Sequence, residues 1–81
     1  MKPRHFPGHI AWGETRINGD HALAFIAIQP HGSYAEPRLH QVYDGAYFAR
    51  PSEASNAAKD ALSKLLLVEK DGRPVFSSAE C

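Results

Sequence analysis

The chain has 81 residues, 43% of them hydrophobic and 22% charged, with nine Lys and Arg against nine Asp and Glu. That length makes one domain that buries only about 60–65% of its extended surface, and that composition excludes a disordered chain, which needs low hydrophobicity and high net charge. Zero net charge removes the overall electrostatic footprint of a nucleic-acid binder and any general pull toward an acidic partner or a membrane surface.

The chain begins with Lys2, Arg4 and His5, a basic cluster of the kind carried by a solvated, frayed terminus. In RHFPGH, residues 4–9, two histidines stand four apart. A zinc-binding helix shows that spacing, but Pro7 inside a helix would cost about 3 kcal/mol. Pro-Gly instead predicts a type II turn with Phe6 and His9 at its ends. His5 and His9 become ligands only if His21, His31 or His40 reaches the same side of that turn, so the expectation is surface and strand-edge histidines with no metal site.

Residues 8–17 and 21–29 flank Asn18-Gly19-Asp20, the strongest short-range hairpin signal, and predict a hairpin over 9–29. With Asn18 and Gly19 as the central turn residues, Ile17 lies opposite Asp20 and Trp12 opposite Phe25. One face then carries Ile10, Trp12, Leu23 and Phe25. The other carries Ala11, Gly13, Ala22, Ala24, Ile26 and Ile28, small enough along its Ala-Gly part for a helix to approach closely. ALAFIAI, residues 22–28, is the longest apolar run and far too short to cross a bilayer. The first twenty residues hold no signal-peptide core, so the expected location is cytoplasmic.

PHGSYAEPR, residues 30–38, reads as a loop. It holds His31 and Ser33, but Gly32-Ser33 is turn chemistry and lacks the strained Gly-x-Ser-x-Gly elbow of a hydrolase, so no catalysis is expected there. A second hairpin is predicted over 39–50, with LHQVY and AYFAR joined at Asp44-Gly45. Tyr34, Arg38, His40, Tyr43, Tyr47 and Arg50, with Phe48 among them, form an aromatic and basic group on a partly exposed sheet. That composition is typical of protein contact surfaces and compatible with stacking on single-stranded nucleic acid. The competing reading is that Tyr47 and Phe48 pack under the helix.

PSEASNAAKDALSKLLLVEKDG, residues 51–72, predicts a helix over 52–70. Ser52 is the expected N-cap and Glu53 complements the positive end of the helix dipole. Ala54, Ala57, Ala58, Ala61, Leu62, Leu65, Leu66 and Val68 recur near the helical period as one apolar face. Gly72 and Pro74 are the stop. The helix N-terminus has no Gly-rich loop before it and no Lys-Ser/Thr after it, so it is not read as a phosphate site. Residues 73–78 are a short strand or a tail. Cys81, the one cysteine, can form neither an internal disulfide nor a Cys-rich zinc site.

The elements add up to an α+β domain in which two antiparallel β-hairpins, as one small sheet or two, pack against a single C-terminal amphipathic helix. The aromatic strand running into a helix, YFARPSEASNAAKDAL at 47–62, resembles the small orphan α+β proteins of bacterial prophage and tail-like gene clusters. The resemblance implies other proteins of a tail-like assembly, or a host protein, as partners. The functional expectation is a non-catalytic interaction or assembly module with another protein or itself as partner, and Tyr34, Arg38, His40, Tyr43, Tyr47 and Arg50 as its contact face. The alternatives are a nucleic-acid binder using the same aromatics with Lys2, Arg4, Arg38 and Arg50, and a histidine-based metal protein. No cofactor, small-molecule substrate or membrane partner is expected.

Overall fold

The computed structural model describes residues 2–81 and has the α+β class. Four strands, β1 (Arg4–Phe6), β2 (His9–Asn18), β3 (His21–Pro30) and β4 (Arg38–Val42), form one antiparallel sheet in that spatial order. Helix α1 (Pro51–Lys64) packs on β2 and β3, and a two-stranded sheet of β5 (Leu65–Val68) and β6 (Pro74–Phe76) closes the chain.

The predicted Pro7-Gly8 turn forms. Phe6 pairs with His9 across Pro7-Gly8, and Gly8 has φ +81°, the left-handed value that the third residue of a type II turn requires. The basic terminus is therefore a sheet edge. The Arg4 guanidinium reaches the C-terminal end of α1, where its Nη1 donates to the carbonyls of Leu62 at 2.5 Å and Leu65 at 2.9 Å. Those carbonyls lie where a helix runs out of backbone partners and carries its partial negative charge, so a cation there satisfies both needs.

The β2–β3 hairpin pairs Asn18 with His21 and Trp12 with Ala27, two residues along β3 from the expected register. Gly19, with φ +66°, is the first central residue of the turn, whereas Asp20 has negative φ, as in a type II′ turn. A slip of two leaves every side chain on its expected face, because strand side chains alternate with period two. Ala11, Ala22, Ala24, Ile26 and Ile28 are buried beneath α1, where they meet Ala54, Ala58, Ala61 and Leu62, with Phe6, Val42, Leu65 and Val68 completing the core.

The predicted second hairpin over 39–50 does not form. The Asp44-Gly45 turn is present, with the Ala46 N–H donating to the Tyr43 carbonyl at 3.0 Å. The chain then returns to the same edge of β3 that β4 occupies, bridging Phe48 to Ala22. Pairing β4 with β3 sets Val42 beside Ala24 in the core, whereas the 39–43 with 46–50 hairpin would have had no clean apolar side.

The helix differs at both ends from the predicted 52–70. Arg50 is the N-cap, Pro51 takes the first helical position, and the Arg50 N–H donates to Glu53 Oε1 at 3.0 Å. Its last residue is Lys64, because the following Leu-rich run pairs with 74–76 as β5: Leu65 and Val68 are buried and Leu66 and Leu67 turn outward. Gly72, with φ +89°, is part of the β5–β6 turn and not a helix stop. Among the described residues, no helix is long and apolar enough to cross a membrane.

Candidate functional site

The six residues expected to share a contact face are dispersed by the second-hairpin rearrangement. Tyr34 stands fully exposed in the 31–37 loop. Arg38 and His40 lie on β4 opposite Ile28 and Ile26, on the helix side of the sheet edge. Tyr43 directly follows β4, Tyr47 lies in the excursion beyond it, and Arg50 caps α1. Tyr47 instead packs beside the His21 ring, with centroids 5.3 Å apart, and its hydroxyl donates to the Asp20 carbonyl at 3.3 Å. Phe48 packs against the core. Of the cations grouped with these aromatics, Arg4 is engaged by the helix carbonyls.

His5 meets His31 and not His9. Their rings lie 5.4 Å apart with Nδ1 of His5 and Nε2 of His31 at 3.3 Å. Among the described residues, no three His, Cys, Asp or Glu side chains gather as a ligand set.

Tyr43 has φ +50°, a left-handed conformation costing a bulky residue about 1–3 kcal/mol. It is held there through its side chain. The phenol donates to Asp60 Oδ2, Lys64 Nζ donates to the phenol oxygen at 3.2 Å and pairs with Asp60 at 3.0 Å, and the Cys81 thiol lies 3.5 Å from the same oxygen. The Asp60 carboxylate, ahead of the Cys81 contact, pushes the Tyr43 hydroxyl up to about 12, so the phenol keeps its proton at neutral pH. The phenol and the Lys64 ammonium hold the Asp60 carboxyl below its usual range, and Asp60 in turn raises Lys64. This cluster is a polar clamp that locks the β4 exit onto α1.

His40 is half-buried, and its Nε2 has no hydrogen-bond partner among the described residues. Burial, then the charge of Arg38, pushes its pKa below the ordinary 6.5. Stability is expected to decline on both sides of neutrality. The His40 contribution is intact above pH 6.5 and is lost as pH falls through the lowered folded value; the Tyr43 contribution is intact below pH 10.0 and is lost as pH rises toward about 12. Urea midpoints measured across pH check this: Tyr43→Phe should flatten the alkaline limb and His40→Gln the limb just below pH 6.5.

Two further features stand apart from the clamp. The first is the sheet face turned away from α1, where Trp12, Ala27 and Leu39 form one cross-strand row and Glu14, Phe25 and Gln41 the next. Ile10 and Leu23 flank these rows, and Ile10, Trp12, Leu23 and Phe25 are part-exposed while Leu39 is exposed. The Trp12 indole donates to Glu14 Oε1 at 2.8 Å and Arg16 pairs with Glu14 Oε2 at 2.9 Å. Those two hydrogen bonds, Trp12 first, hold the Glu14 carboxyl below its usual range. The second is a cavity of about 250 Å³ where the inner sheet face passes beyond the helix and the β5–β6 turn covers it. His9, 7% exposed, lines it, and its Nδ1 has no partner among the described residues. An unsatisfied buried polar atom costs about 1–3 kcal/mol.

No protein-family model, no curated protein and no solved structure matches the chain.

The aromatic face made of Ile10, Trp12, Leu23 and Phe25 is readable from the hairpin alternation. The cavity is not, since it joins His9 and Arg38 to Lys70, Asp71 and Gly72, and the only local signal is the Asp71-Gly72 turn.

Proposed function

We propose that the protein is a non-catalytic interaction module that acts through the open face of its four-stranded sheet, and that a second copy of the chain occupies that face. The observation that carries this reading is the part-exposed apolar row of Ile10, Trp12, Leu23, Phe25 and Leu39, on the side of the sheet that α1 leaves uncovered. A sheet face of this kind buries itself against another sheet about 10 Å away.

Three properties favour a second copy over an unlike partner. Zero net charge means that two copies approach without overall repulsion. Glu14 and Arg16 lie on the same face of β2, so a two-fold arrangement can set each against the opposite charge of its mate. From strand spacing and rise, the face measures on the order of 400–500 Å² in projection. That falls at the low end of specific interfaces and suits a reversible dimer.

Sedimentation equilibrium from dilute to millimolar protein tests it. The weight-average mass should climb from 8.9 kDa toward twice that value, with the Trp12 emission shifting blue in step. Phe25→Asp, on the open face, should hold the protein monomeric with unchanged far-UV circular dichroism. A constant 8.9 kDa at every concentration would sink the proposal.

A further inference from the structure

We infer that the cavity beneath the β5–β6 turn is a binding site for a small organic monocarboxylate with an apolar body. At about 250 Å³ it has the liquid volume of about eight waters, which suits a ligand on the order of ten non-hydrogen atoms. Ile28, Pro30 and Ala35 supply an apolar lining, and His9, Arg38 and Lys70 supply the polar one. Concave, largely apolar sites with a few convergent polar groups are the usual form of small-ligand sites.

The charged groups in the lining are uncommitted where a carboxylate needs them. The Arg38 and Lys70 side chains make no hydrogen bond or ion pair among the described residues. The planar guanidinium of Arg38 matches a carboxylate in a two-pronged bond. Asp71, by contrast, is occupied, with Oδ2 3.1 Å from Arg73 Nε and Oδ1 accepting from the Arg73 N–H at 3.2 Å. Glu36 and Asp71 keep two negative charges at the lining, which disfavours a dianion such as phosphate and leaves a single carboxylate as the better match.

His9 is the second, independent observation. It is 93% buried, it lines the cavity, and its Nδ1 lacks a partner among the described residues. That atom has essentially no accessible surface, so a ligand in the cavity meets the small exposed part of the His9 ring and not Nδ1. Gly72 also lines the cavity; a Cβ there would make only an ordinary contact with His9 Nε2 at 4.0 Å, and it is the φ of +89° that strains any other residue.

The test is an NMR titration of the full chain with sodium benzoate, inorganic phosphate and benzyl alcohol. Benzoate should shift the His9 ring and the Ile28, Arg38 and Gly72 amides saturably in the millimolar range. Benzyl alcohol, which keeps the apolar body without the charge, and phosphate, which keeps the charge without the body, should each bind at least about tenfold more weakly. Arg38→Gln should weaken benzoate about tenfold with the remaining amide spectrum in place. The inference is overturned if His9 stays unmoved by benzoate, if phosphate binds as well as benzoate, or if Arg38→Gln leaves benzoate affinity intact. The three-probe comparison on the native chain decides the matter even if the variant fails to fold. None of these outcomes bears on the sheet-face dimer, because Arg38 and His9 lie on the other side of the sheet.

Discussion

Ile26→Ala is expected to lower the unfolding free energy by about 2–5 kcal/mol, the range for removing a large aliphatic side chain from a packed interior. Ile26 has no exposed surface and stands mid-strand in β3, which is paired on both sides by β2 and β4. Its neighbours cannot collapse into the hole without breaking those ladders. An 81-residue domain has roughly 4–12 kcal/mol of stability in total, so the loss is a large fraction and part of the population should be unfolded at 37 °C. Urea denaturation would read it as a fall in midpoint at constant slope. A loss below about 1 kcal/mol would mean that Ile26 is not a packed core residue at all.

Ala58→Leu is the opposite perturbation with an effect nearly as large. The helix meets the sheet along a seam of alanines: Ala11, Ala22 and Ala24 beneath, Ala54, Ala58 and Ala61 above, all essentially without exposed surface. Three added carbons at Ala58 have nowhere to go unless α1 lifts off β2 and β3. Overpacking of this kind costs about 1–3 kcal/mol, despite the larger apolar area of Leu and a helix propensity only slightly below that of Ala. The control is Lys59→Leu, one residue along on the solvent side, which adds a similar apolar side chain and should change stability by no more than about 0.5 kcal/mol. Equal effects at the two positions would contradict the close approach of helix and sheet.

What the sequence revealed depended on how local the deciding interaction was. Pro7-Gly8, Gly19 and the alternation of β2 and β3 are settled within a few residues, and the faces they imply survive even a register slip. The start of α1 is likewise local. The end of α1 is not. LLLVEKDGRPVF reads equally as the last turns of an amphipathic helix with a glycine stop, or as a hairpin about Asp71-Gly72. What decides it is the pairing of Leu65 with Phe76, together with the burial of Leu65 and Val68. The second hairpin failed for the same reason. Val42 gains more beside Ala24 than opposite its sequence neighbours, and nothing between residues 39 and 50 says so. Arg4 capping a helix some sixty residues away lies beyond any local pattern. The candidate cavity joins four separate segments of chain, so its lining could not be assembled from spacing.

The ends of the sheet bear on how this protein fails when it fails. β1 has three residues, and β4 has five before the chain steps out at Tyr43. The β4 edge is too short to offer a long row of free N–H and C=O groups. β1, however, covers only His9–Ala11 of β2, so the outer side of β2 toward Asn18 is the edge of the folded molecule most open to an added strand. The seven-residue stretch from Ala22 to Ile28 is apolar, uncharged and free of proline, the composition of a fibril-forming segment. Folding places it in the interior of the sheet with a strand on either side. The hazard carried by this segment is therefore set by the unfolded fraction, and any substitution that loosens the core raises it in proportion to the population it releases.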